Sequence, residues 1–260
     1  MFDSGFGGLT VARALIDLLP GADVVYFGDT ARYPYGPRDL DEVRAFSLQI
    51  GRLLRDRFGV GLLVVACNTA SAAALGDLEV ELDVPVVGVI EPGLRAATQV
   101  SARGRVGVIG TVGTVASGAY QLAHRGLGAP GELICAACPG FVEFVERGET
   151  DSDQVRVLAE RLLAPMVEAD VDALLLGCTH YPYLARVIGD VMGREVVLVS
   201  SADETAFEVR RLLGESGATG SGLVRFLSSG DPLLFAQLGR RLLGPELDRV
   251  EPHVWETPDG

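Results

Sequence analysis

Two cysteines close apolar runs in nearly the same way. Cys67 ends LLVVA and precedes Asn68 and Thr69, and Cys178 ends LLLG and precedes Thr179 and His180. A thiol at a strand-to-helix turn meets free backbone N–H groups and the positive end of a helix dipole, which favour the thiolate over the free value of about 8.5. Either cysteine alone would serve equally well as a small buried apolar side chain. As a pair from two similar segments they suit a reaction that takes a proton from one face of a carbon and returns one to the other. His180 lies two residues from one thiol and is placed to assist it, while His124 and His253 have no such neighbour.

Other segments offer partners for a small anion. Asp3 and Ser4 in DSGFGG end a very short first strand and lead into a glycine turn, where N–H groups can receive a carboxylate or Asp3 can simply cap a helix. Gly5, Gly7 and Gly8 do not complete a dinucleotide fingerprint. GDTARYPYG brings Asp29, Tyr35 and Gly36 into a loop after a strand, and Thr111 and Thr114 in IGTVGT follow another, where they also suit helix caps. Glu143 and Glu146 in FVEFVERGE are both candidate helper carboxylates at helical spacing. Cys135 and Cys138 form a CxxC with no second ligand pair at metal spacing, so structural thiols are favoured over zinc or redox chemistry and no metal site is expected.

The elements that must position these residues alternate. Short Val, Leu and Ile runs at 23–27, 61–66, 84–89, 106–109, 133–136, 173–176 and 196–199 read as parallel strands. Helical spacing occupies 10–19, 40–58, 69–75, 92–100, 117–125, 152–168, 182–192 and 202–213, and the tails read as loose. Continuous rather than alternating apolar strands fit an α/β fold of parallel sheets covered on both faces, with ligands outside the strands' carboxyl ends. The echo between 62–70 and 173–181 suggests two similar lobes, each a mainly parallel sheet flanked by helices. We expect 1–91 with a returning segment of about 201–260 as one lobe and 92–200 as the other.

Composition removes several classes. All 22 basic residues are Arg, so a pyridoxal Schiff base and a phosphate-loop lysine have no residue to supply them. The net charge of −13 repels nucleic-acid phosphates and anionic lipid, and no basic cluster offsets it. The chain opens without a basic and apolar leader and has no run long enough to span a bilayer, which points to the cytoplasm.

Taken together, FDSGFGGL, GDTARYPYG, ACNTAS, CPGFVEFVERGE and GCTHYPYL resemble, in this order and over nearly the whole chain, the segments of bacterial glutamate racemases. The resemblance implies a cleft between two α/β lobes, often in a homodimer, that interconverts L- and D-glutamate without a cofactor and supplies D-glutamate for peptidoglycan. It implies that Cys67 takes the α-proton from D-glutamate and Cys178 from L-glutamate, with Asp3 assisting near Cys67. It selects Glu146 over Glu143 as the carboxylate that supports Cys178 together with His180. Substrate contacts carry over to Asp3, Ser4, Tyr35, Gly36, Asn68, Thr69, Thr179 and His180, and Thr111 is kept as a further candidate. Rival readings are a racemase of aspartate or a related acid, a two-lobed amino-acid-binding protein, and thiol–disulfide exchange through Cys135 and Cys138. Two departures stand out: Gly140 and Glu143 interrupt a stretch that is more apolar in such enzymes, and the chain begins almost directly at FDSG. A first strand extended by several apolar residues is therefore expected to raise the melting temperature, and an unchanged value would contradict that.

Overall fold

The computed structural model describes residues 1–214, 220–244, 247 and 249–255. Two wholly parallel sheets carry the chain. The first takes β1 (Phe2–Asp3), β2 (Val24–Gly28), β3 (Leu63–Val65), β4 (Val86–Gly88), β9 (Val224–Ser228) and β10 (Val250–Pro252) in the order β10-β9-β2-β1-β3-β4. The second takes β5 (Arg105–Gly110), β6 (Glu132–Ala137), β7 (Ala173–Gly177) and β8 (Val197–Ser200) in the order β6-β5-β7-β8. This is the α/β architecture expected from the apolar runs. Phe2 pairs with both Phe27 and Val65, and all three are fully buried, because a central parallel strand has helices over both faces.

The helices between them start and stop on local chemistry. α1 (Leu9–Leu18) follows the glycine turn, and α2 (Leu40–Phe58) has Asp39 at its N-cap and Gly59 at φ 60° at its C-cap. α3 (Asn68–Glu81) begins directly after Cys67 and runs well beyond the expected 69–75, continuing through Gly76, which a helix interior tolerates at a cost of about 1 kcal/mol. α4 (Ile90–Val100) follows β4. The helix expected at 117–125 is α6 (Ala119–Leu127), and a short unexpected helix, α5 (Val112–Ala116), precedes it, the two separated where Gly118 adopts φ 70°. α7 (Phe141–Arg147) and α8 (Asp153–Glu168) precede β7. The stretch expected as one helix at 182–192 opens as a 3₁₀ turn, Tyr181–Leu184, before α9 (Ala185–Met192). Gly140 is compatible with α7 because it sits at its N-cap with φ 94°, while Phe141 behind it is buried against Tyr181.

The C-terminal part is more ordered than expected. After α10 (Ser201–Leu213), β9 pairs with β2 along five residues, and α11 (Pro232–Leu243) packs on α1. β10 then adds an edge strand to β9. Neither α11 nor β10 was among the expected elements. β10 is only three residues long and ends in proline, which an edge position tolerates. Met1 donates its ammonium hydrogen to the Val25 carbonyl at 2.7 Å.

Candidate active site

The carboxyl ends of β1, β3, β5 and β7 converge on a cleft of about 250 Å³. Ser4, Cys67, Asn68 and Thr69 line it from the first sheet's side, and Thr111, Cys178, Thr179 and His180 from the second. Tyr35 and Gly36 enter from the loop after β2, and Glu146 from α7. Both thiols are nearly buried, Cys67 at 6% and Cys178 at 7% exposure, and each follows a strand of a different sheet. Of the residues expected to catalyse or to contact substrate, Asp3 alone does not line the cleft. It is fully buried behind it, where Oδ2 accepts the Gly5 N–H at 2.9 Å in a local turn instead of capping α1.

Close approach of the two sides depends on residues without side chains. A Cβ on Gly7 would sit 2.3 Å from Thr179 Oγ1 and 2.5 Å from His180 Nδ1, and one on Gly36 would lie 2.9 Å from Thr111. The Gly113 N–H also donates to the Gly36 carbonyl at 3.0 Å, tying the loop to the helix that follows β5. Thr69, Thr111 and Thr114 form a triangle of hydroxyls at 2.9 to 3.0 Å, so Thr111 acts both as the cap of α5 and as a cleft hydroxyl. Asn68 donates Nδ2–H to the Tyr120 hydroxyl at 2.9 Å, which leaves its Oδ1 buried and unpaired.

Tyr35 does not offer its hydroxyl to the cleft: it donates it to Asp29, a fully buried carboxylate. Asp29 also accepts from Arg32 Nε at 2.7 Å, Ser229 Oγ at 2.7 Å and Trp255 Nε1 at 2.9 Å. The Arg32 guanidinium stacks between Phe46 and Trp255, 4.1 and 4.0 Å from their ring centres. The loop that presents Gly36 is thus held by the C-terminal segment, a link between residues more than two hundred positions apart that no local pattern announces.

The electrostatics differ between the two thiols. Burial pushes the Cys67 thiol up to about 12, reinforced by the nearby Asp3 carboxylate and opposed by the Ala70 N–H and the Ser4 hydroxyl. The expected lowering by the helix end is therefore overturned, because desolvation of the thiolate outweighs two hydrogen bonds. Cys178 has His180 Nδ1 4.0 Å from its sulfur, and His180 Nε2 lies 3.7 Å from Glu146 Oε1. Burial lowers the His180 imidazole, but Cys178, Glu146 and Asp3 together carry it up to about 10. Burial likewise raises the Asp3 carboxyl, against the charge of His180 and N–H groups of Gly5, Gly8 and Ser4.

These shifts have a sign. His180 is held above its unfolded value of 6.5, so its contribution to stability is complete below about pH 6.5 and is lost as pH rises through about 10. The melting midpoint is expected to fall by several degrees between about pH 6.5 and about pH 9, since each 1 kcal/mol moves a domain of this size by roughly 2–4 °C. His180→Asn should flatten that slope in a thermal scan, and an identical slope in the variant would contradict the assignment.

Several cleft residues escaped the sequence reading. Tyr33 and Val142 line it, the first from the same loop as Tyr35, and Cys138, expected as a structural thiol, lines it too. Burial pushes the Cys138 thiol up to about 12 and Cys135 to about 11, the opposite of what a reactive CxxC requires. Among the described residues no group of three His, Cys, Asp or Glu is arranged to hold a metal ion. None of their helices is long and apolar enough to cross a membrane.

Residues 9–207 match the family model described as Asp/Glu/Hydantoin racemase. The chain is 53% identical over 255 residues to the glutamate racemase of Parafrankia sp., covering 96% of this chain and 92% of that one. Its fold superposes on a glutamate racemase isoform from Bacillus anthracis with a TM-score of 0.91 at 40% identity, over 99% of this chain and 96% of the other. A glutamate racemase from Francisella tularensis solved in complex with D-glutamate gives a TM-score of 0.88 at 33% identity, over 97% and 95%.

Proposed function

The chain belongs to the Asp/Glu/hydantoin racemase family, and from that premise we propose that it interconverts L- and D-glutamate by two-thiol proton transfer, without a cofactor. The observation that carries this reading is the pair of nearly buried thiols, one after a strand of each sheet, on a single cleft. For L-glutamate, Cys178 as thiolate takes the α-proton to leave a carbanion-like state, and the Cys67 thiol then delivers its own proton to the opposite face. The turn ends with Cys178 protonated and Cys67 as thiolate, the state from which D-glutamate reacts.

The protonation pattern supports that division. Cys67, pushed up to about 12, rests as the acid, and its thiolate, once formed, is a stronger base than a free one. His180, kept charged with the help of Glu146 and Asp3, places a positive group 4.0 Å from the Cys178 sulfur. An α-C–H is a far weaker acid than a thiol, so the developing negative charge needs preorganised donors in a dry site. Backbone N–H groups after Cys67 and Cys178, with the hydroxyls of Ser4, Thr69 and Thr179, are suited to the α-carboxylate, and the Gly36 and Thr111 side to the distal one.

We assign 1–91 with about 201–260 to one lobe and 92–200 to the other; 215–219, 245–246, 248 and 256–260 lie outside the described residues. The reading extends to a cytoplasmic homodimer whose D-glutamate feeds peptidoglycan synthesis. Circular dichroism of each pure enantiomer tests the substrate: glutamate should lose its signal from either side, and aspartate far more slowly. Faster inversion of aspartate, or binding of glutamate without inversion, would favour the rival readings.

A further inference from the structure

Three polar atoms meet beside Cys178 with needs that their surroundings leave open. Tyr33 Oη, Glu146 Oε1 and His180 Nε2 are each buried, and none has a hydrogen-bond partner. The Tyr33 and His180 rings lie 6.2 Å apart, and Glu146 Oε1 is 3.7 Å from His180 Nε2. Tyr33 comes from the loop after β2, whereas Glu146 and His180 belong to the second sheet's side, so the phenol reaches across the cleft. Its ring is held by Phe6, edge-on at 6.3 Å, and by Gly5, where a Cβ would come within 2.8 Å of the ring.

We propose that Tyr33 is a positioning residue for this reaction: its hydroxyl donates to the Glu146 carboxylate, fixing the group that orients His180 against Cys178. The proposal rests on the racemase reading above. Glu146 needs such an anchor because its side chain is 27% exposed and carries three rotatable torsions, and a rigid donor removes that freedom. The phenol keeps its proton and so can donate it to the carboxylate, since burial and the nearby Glu146 raise it well above its ordinary value. With Glu146 fixed, Nε2–H of His180 points to the carboxylate and the Nδ1 edge stays towards the Cys178 sulfur, 4.0 Å away. The other charged or titratable groups near this set, Asp3, Glu143 and Cys138, are not asked to move a proton through Tyr33.

Tyr33→Phe removes one oxygen and leaves the packing ring. Loss of a hydrogen bond to a charged group predicts a fall in kcat/KM of roughly tenfold or more, equal in both directions as the equilibrium requires, with KM changed little for at least one enantiomer. The discriminating readout is the primary isotope effect on α-deuterated L- and D-glutamate. Raising only the Cys178 barrier should enlarge it for the enantiomer whose α-proton Cys178 removes and not for its mirror image. Glu146→Gln should lose its added effect when combined with Tyr33→Phe. Unchanged kcat/KM, or a loss with equal isotope effects on both enantiomers and additive double-variant losses, overturns the proposal. The wild type separates this from the racemase reading: no inversion of glutamate contradicts both, whereas an active wild type with a symmetric variant contradicts this proposal alone.

Discussion

Replacing either cleft cysteine with serine, Cys67→Ser or Cys178→Ser, is expected to slow glutamate inversion by roughly 10³-fold, the scale on which a positioned acid or base contributes. A serine hydroxyl keeps the size and the hydrogen bonds of the thiol but not its basicity. Both sites are at strand ends and nearly buried, so the fold should tolerate the change and circular dichroism should remain that of the parent. Each variant keeps one functional thiol. In deuterated buffer the variant retaining Cys178 is expected to exchange the α-proton of L-glutamate without inverting it, and the variant retaining Cys67 that of D-glutamate. Full inversion by either variant would remove the thiol concerned from the mechanism.

Gly7→Ala is expected to lose at least roughly 10²-fold in activity although Gly7 carries no side chain and performs no chemistry. The added methyl would lie 2.3 Å from Thr179 Oγ1, 2.5 Å from His180 Nδ1 and 2.7 Å from His180 Cε1. All are far inside van der Waals contact, and both residues are buried, so their side chains have little room to turn away. Relief must come from moving the turn before α1 away from the loop after β7, which takes His180 from Cys178 and Glu146. Overpacking of this kind also costs about 1–3 kcal/mol of stability. Gly76→Ala provides the contrast: it lies exposed within α3 with nothing near its Cβ, and alanine there should stabilise by about 0.5–1 kcal/mol. Melting curves and initial rates of the two variants decide the matter, and a fully active Gly7→Ala would show that the two sides need not touch.

How much of this was readable in advance depends on whether the cause is local. Cys67 and Cys178 announce their positions because buried parallel strands are short uninterrupted apolar runs, and LLVVA and LLLG end at the residues before them. The same rule places Ser4, Thr111 and the loop of Tyr35 and Gly36 after strands. It does not say which tyrosine of RYPYG offers its hydroxyl to the cleft, because Tyr35 turns its own to Asp29, a carboxylate that Ser229 and Trp255 near the other end of the chain also hold.

α11 carries a signal of its own in the sequence: Asp231 caps it, Pro232 opens it, and Arg240 and Arg241 precede Gly244 at its end. The break at Gly118 was equally local, a glycine between two helical stretches. The Cys67 thiol departs from the sequence expectation for a different reason. A helix start is visible in sequence, but desolvation depends on how tightly distant segments close over the sulfur, and burial has the larger effect.

The central claim is that this protein inverts the α-carbon of free glutamate with its own thiols. The most direct test is proton NMR of the α-position, read alongside optical rotation, for L-glutamate incubated in deuterated buffer with purified protein that has been stripped of metal and given no cofactor. The account predicts rotation decaying to zero while deuterium replaces the α-proton in the D-glutamate formed. Unchanged rotation with the α-proton retained, in protein shown to be folded, would contradict it.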